Sequence, residues 1–148
     1  MAGKRGEAPR WMRRHVQKCR AAFGIGDAGF ALTLTLADAP NPANADTVGL
    51  TSTSVRYHRG DVMIKRGLRR GDLGYETVTH EMLHAASAMQ LHAVTRILEL
   101  VPEDLRDHAE ALWQDGNEAT VTQLARALTP VLRAVRRTKE KTNGRQTQ

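Results

Sequence analysis

The residues best equipped for chemistry lie in one run, His80-Glu81-Met82-Leu83-His84. It is the pattern His-Glu-x-x-His. On a helix, residues four apart share a face and sit one turn apart. The imidazoles of His80 and His84 then lie about 6 Å apart along the axis, close enough to chelate one metal ion. Two neutral imidazoles suit Zn²⁺. Glu81, roughly 100° around the helix from His80, can reach a water on that ion without ligating it. Zinc lowers the pKa of such a water to about 7, so a carboxylate base can turn it into a nucleophile. The flanking Val78, Met82, Leu83, Ala85, Ala86, Ala88 and Met89 make this helix apolar. An apolar helix is buried, and buried imidazoles need partners.

The chain around this run has 148 residues, 41% of them hydrophobic. That is one domain with one modest core. Only 4% are aromatic, so the core is built from Leu, Val, Ala and Met. No apolar run approaches the ~18 residues of a membrane span. The basic N-terminal stretch has no apolar segment of the kind a secretory signal carries. The single cysteine, Cys19, can form no intrachain disulfide, which fits a reducing cytoplasm.

Charge gathers at the two ends. Residues 1–20 carry seven Lys/Arg against Glu7, and residues 131–148 carry six against Glu140. The middle is net negative, although the whole chain is +6. Basic ends can meet nucleic acid or an anionic surface, and equally they can be solvated arms.

The spacing predicts an α+β chain. Residues 1–8 read as a disordered basic arm, 9–137 as one domain and 138–148 as a basic tail. Trp11, Met12, Val16, Cys19, Ala22 and Phe23 recur with helical period, between Pro9 and Gly24. Ala31–Ala37 alternates like a half-buried strand. A Pro- and Asn-rich loop follows. Strands are then expected at 47–57 and 62–65, joined by a hairpin turn at Arg59-Gly60-Asp61, which gives a small three-stranded antiparallel sheet. The metal helix is expected from about residue 73 or 75 to about Leu100, ahead of Pro102. Two further helices are expected after it, one with the stripe Leu105, Ala109, Leu112 and Trp113, and one opened by Asn117 after a break at Asp115-Gly116.

A catalytic zinc takes three protein ligands and keeps one open position. Beyond His84 the candidates are His92, Glu99, His108, Glu110 and Glu118. On a continuous helix His92 lies about 12 Å along the axis from His84, too far to share an ion, and Glu99 fails in the same way. His108 sits on a polar face. Glu118 begins a helix beside an apolar stripe that must pack, so it is the best placed.

His80-Glu81-x-x-His84 followed by Asn117-Glu118-x-x-x-Thr122 resembles the gluzincin metallopeptidases, above all their small single-domain members and similar phage or bacterial proteins. The resemblance covers roughly residues 30–128. It implies a zincin-like fold with a short sheet ahead of the metal helix. It implies His80, His84 and Glu118 as zinc ligands, Glu81 as general base and acid, and a peptide or protein substrate added along the sheet edge. Many members carry an acid four positions after the ligand glutamate, to orient a zinc-bound histidine; this chain has Thr122, a weaker acceptor. By residue type, Tyr57, His58, Tyr75 and His108 are candidates to stabilise an oxyanion. The run His-Glu-Met-x-His-Ala also resembles SprT-like proteases acting on DNA-bound proteins, but that family uses a third histidine in a His-Gly pair not found here. A third reading is a non-catalytic zinc-binding regulatory protein of a phage or mobile element.

Overall fold

The computed structural model of the chain describes residues 7–25, 31–54, 59–88, 94, 97–100 and 102–135. The expected disordered arm lies outside these residues as far as residue 6, and the expected C-terminal tail lies outside them entirely.

Helix α1 spans Arg10–Phe23. Pro9 precedes it in an extended conformation, and Gly24 ends it with φ 67°, a left-handed turn that glycine adopts without a Cβ clash. Met12, His15, Val16 and Cys19 are buried, at the three- and four-residue steps of one face. Strands β1 (Ala31–Ala37), β2 (Gly49–Ser54) and β3 (Arg59–Lys65) form one sheet in the order β1-β3-β2. Helix α2 spans Asp72–Ala86, and helix α3 spans Glu103–Ala134.

The α+β class is as expected, but the sheet is mixed. β3 pairs antiparallel with β2 and parallel with β1. The turn expected at Arg59-Gly60-Asp61 is instead the start of β3, with Gly60 paired to Leu32 on one side and Thr53 on the other. A central strand saturates its hydrogen bonds on both edges, and that tertiary pairing overrides the local turn preference of Gly-Asp.

The inner face of β3 presents Val62 and Ile64, both fully buried. They meet Val78 and Met82 of α2 in one cluster with Met12, Val16 and Cys19 of α1 and Leu132 of α3. Each such side chain contributes roughly 1.5–3 kcal/mol. Helix α2 is therefore sandwiched between the sheet, α1 and α3. It comes close to the segment before it, because a Cβ on Gly74 would lie 2.3 Å from the Arg69 carbonyl oxygen.

Two helix boundaries differ from expectation. Helix α2 ends at Ala86 rather than near Leu100, with Ser87 as its C-cap. The Ser87 N–H reaches the Leu83 carbonyl, and its hydroxyl donates to the His84 carbonyl at 3.2 Å. The first is the last regular helical bond, and the hydroxyl occupies a carbonyl that the next N–H would otherwise take. The two helices expected after Pro102 are one, 32 residues long, which runs through Gly116 and Pro130. Glycine in mid-helix costs only about 1 kcal/mol, which packing of the second half offsets. Of the expected stripe in the first half, Leu105 and Leu112 are exposed and Ala109 and Trp113 are half-buried. The buried positions of α3 are Val121, Ala125, Thr129 and Leu132, all in its second half.

A buried polar ladder ties the three helices together. His15 Nε2 and Thr79 Oγ1 are hydrogen-bonded at 2.8 Å, and Thr129 Oγ1 lies 2.9 Å from the same Thr79 hydroxyl. Thr79 therefore locks the turn of α2 that carries His80.

Candidate metal centre

Three side chains converge above the middle of α2. His80 Nε2 and His84 Nε2 are 3.0 Å apart. Glu118 of α3 lays one carboxylate oxygen 3.1 Å from His80 Nε2 and the other 3.2 Å from His84 Nε2. Their potential ligand atoms lie within 4.8 Å of one another, so the three could hold a metal ion. The two imidazoles meet edge to face, 4.7 Å between centroids, as expected for residues one turn apart. Burial lowers the pKa of His84, as does the neighbouring His80, while Glu118 opposes the shift. A neutral imidazole keeps the lone pair that a metal needs.

Glu118 comes into place through packing of α3 on α2. Val121 and Ala125 are buried against the core, and Arg126 Nε donates to Glu76 Oε1 at 3.1 Å. Glu118 lies one turn before this contact surface. Its own side chain remains mostly solvent-exposed.

Glu81 turns the other way, toward β2. It is 6% exposed. The Thr51 hydroxyl lies 2.7 Å from Glu81 Oε2 and 2.9 Å from the Glu81 main-chain oxygen. That hydroxyl owns one proton. It therefore donates to Oε2 or to the main-chain oxygen, one at a time. Burial pushes the Glu81 carboxyl up to about 7, against the Thr51 hydrogen bond, with a smaller push from the Glu118 charge.

Gly49 and Thr51 were not singled out from the sequence. A Cβ on Gly49 would lie 2.6 Å from Glu81 Oε1, so only glycine lets β2 come this close. The signal was a glycine between apolar residues at a strand start. The loop before it sets the approach: Asn41 and Asn44 each accept from a backbone N–H two residues on, and Lys65 N–H bonds the Val48 carbonyl. Edge strand β2, the histidines, Glu81, Asn117 and Glu118 line a cleft of about 320 Å³.

The other candidates stand apart. His108 is exposed on α3, ten residues before Glu118 and so about 15 Å along the axis. Glu110 bonds Gln114, and neither it nor Glu99 belongs to the cluster. His92 lies outside the described residues. The end of α2 at Ala86 removes the continuous helix on which it was set aside. Tyr57 and His58 also lie outside the described residues. Tyr75 faces away, its ring against Trp11 and His15 and its hydroxyl accepting from Arg70. Thr122 is half-buried and makes no hydrogen bond to either imidazole among the described residues. Cys19 is fully buried, with its thiol pushed up to about 12 by burial, so it is no nucleophile.

Among the described residues no helix is long and apolar enough to cross a membrane. No family model, curated protein or solved structure matches the chain.

Proposed function

We propose that the chain is a zinc-dependent metallopeptidase, with His80, His84 and Glu118 holding the ion and Glu81 moving the proton. The observation that carries this reading is the convergence of three side chains of ligating type: His80 Nε2 and His84 Nε2 lie 3.0 Å apart, with one Glu118 oxygen 3.1 Å from the first and the other 3.2 Å from the second. Bonds of about 2.0–2.1 Å to a tetrahedral zinc put neighbouring ligands roughly 3.3 Å apart. The imidazole separation and the nearest carboxylate contact to each imidazole fall close to that length, and the exposed side of the cluster opens into the cleft.

Zinc bound there supplies Lewis acidity, acidifying water and polarising a carbonyl. Glu81 supplies the proton path. A carboxylate held beside the ion's open position can take a proton from water and return it to the leaving amine. Thr51 holds that carboxyl in one orientation, and the burial that raises its pKa also shields the transfer from bulk solvent. Strand β2 is a sheet edge, and an extended peptide can add to it as a further strand, crossing the cleft beside Glu81.

The test is Glu81→Gln in the zinc-loaded protein, assayed on an unfolded protein substrate. Zinc stays bound in one equivalent and hydrolysis disappears. Undiminished cleavage by the variant sinks the assignment. Stoichiometric zinc in a wild-type protein that cleaves neither unfolded proteins nor a peptide library would establish a non-catalytic zinc protein instead.

A further inference from the structure

On the far side of α2 lies a second, larger cavity of about 1060 Å³, between α1, the start of α2 and the end of α3. Its charged lining is cationic throughout: Arg10, Arg14, Lys18, Arg70 and Arg133. Of the acids nearby in sequence, Asp72 pairs with the lining residue Arg133, and Glu7 pairs with Arg13, outside the lining. Arg10 and Arg14 form no ion pair or hydrogen bond among the described residues. Lys18 gives two of its three donors to the Leu132 and Arg133 carbonyls, which fixes its charge at the rim.

Aromatic groups form the floor. Trp11 and Tyr75 meet edge to face at 5.1 Å, and the Arg133 guanidinium lies 4.6 Å from the centre of the Tyr75 ring. Trp11 is half-buried, so part of the indole borders the cavity. His15 also lines it, 2% exposed, and its Nδ1 is a buried polar atom with no hydrogen-bond partner.

We infer that this cavity binds the phosphodiester backbone of a single-stranded nucleic acid, with a base against Trp11. Arg10, Arg14 and Lys18 stand at four-residue steps along α1, about 6 Å apart, a spacing comparable to that of successive phosphates on an extended strand. Cations that follow a backbone beside an aromatic surface are the working parts of single-strand binding. The volume exceeds what one phosphate needs. Val135 also lines the cavity, and residues 136–148 that follow it in the sequence carry five Lys/Arg against Glu140. Arg133 lies fifteen residues past Glu118, about 22 Å along α3, so a strand held here leaves the metal cleft free. This inference does not rest on the metallopeptidase reading.

The experiment uses the full chain in a Trp113→Phe background, titrated with a labelled single-stranded oligothymidylate of twelve nucleotides. Anisotropy reports binding, and tryptophan emission reports Trp11. Binding weakens with salt, with a log–log slope of about −0.7 per phosphate neutralised. Arg14→Glu lowers affinity at least tenfold and flattens the slope, and Trp11 emission is quenched at saturation. Arg66→Glu changes the net charge equally at the sheet end, and binds as the parent does. Equal losses in the two charge variants, unquenched Trp11, or equal affinity for a duplex of the same length would overturn the inference. So would displacement of the strand by inorganic tripolyphosphate at matched phosphate concentration, which would mark a simple anion site.

Discussion

Replacing Gly49 with alanine tests whether the Glu81 carboxylate works where the fold holds it. The new Cβ would meet Glu81 Oε1 at 2.6 Å, Cγ at 2.7 Å and Cδ at 2.9 Å. Ordinary contact begins near 3.4 Å, so the carboxyl must move by about 0.8 Å or the strand must lift. There is little room to absorb this, because Thr51 already lies 2.7 Å from the other oxygen. Overpacking of this kind costs about 1–3 kcal/mol. In a domain of this size that lowers Tm by roughly 3–10 °C. A misplacement near 1 Å in a reacting group costs about a hundredfold in rate. The nearest neighbours of the added methyl are all Glu81 atoms, so zinc affinity should change less than threefold. Isothermal titration with zinc, thermal melting and hydrolysis of an unfolded protein would be measured together. Gly71→Ala, whose Cβ meets nothing within 4 Å, is the matched control and keeps full activity. If Gly49→Ala hydrolyses at the wild-type rate, the position of Glu81 against β2 is irrelevant to function, and the reasoning fails.

Glu118→Ala removes the only carboxylate of the cluster, and zinc affinity should fall roughly a hundredfold or more, at or beyond the 10–100-fold typical of outer-shell groups; an unchanged titration would remove Glu118 from the site. Gly116→Ala adds a methyl in open space within α3 and should stabilise by about 0.5–1 kcal/mol, read as a rise in Tm; a fall would mean that the backbone at Gly116 is not helical. The imidazole of His15 is pushed down to about 4 from its ordinary 6.5, first by burial and then by Lys18 and Arg133. The unfolded chain thus binds that proton more readily, so the contribution is complete above pH 6.5 and is lost as pH falls toward 4. The loss between pH 7 and 4.5 is about 2–3 kcal/mol, and His15→Gln should abolish that part of the pH dependence of Tm; an identical slope in the variant would contradict it.

Local pattern made some features legible and tertiary pairing hid others. The steps from Met12 to Cys19, and the alternation in Ala31–Ala37, mark one-sided burial, which the sequence records directly. The pairing partner of a strand is not recorded that way. Nothing in Leu32, Leu34 and Leu36 says that they run parallel to Val62 and Ile64. The break read at Asp115-Gly116-Asn117 fails because packing of Val121 and Ala125 outweighs one glycine. At the candidate site, His80, Glu81 and His84 are fixed by helix period alone. Glu118 needed a second helix to return, and the structure brings it to within 3.2 Å of both imidazoles. Gly49 and Thr51 come from a strand some thirty residues before Glu81, and only the folded chain reveals that contact.

Among the described residues helix α3 fully buries side chains only from Val121 onward, so residues 103–117 form a less buried arm, tied back by Arg106 to the Leu98 and Glu99 carbonyls. Glu118 stands at its root. Segments with few buried apolar groups open at low free energy, and such opening would unwind toward Glu118 before it reached Val121. An ion gripped by Glu118 and by two residues of α2 would clamp that root. Amide hydrogens from about residue 114 to 121 should then exchange more slowly with zinc than without it, while those near Glu103 stay unchanged. Occupancy of the centre would be written into the dynamics of the helix as well as into its chemistry.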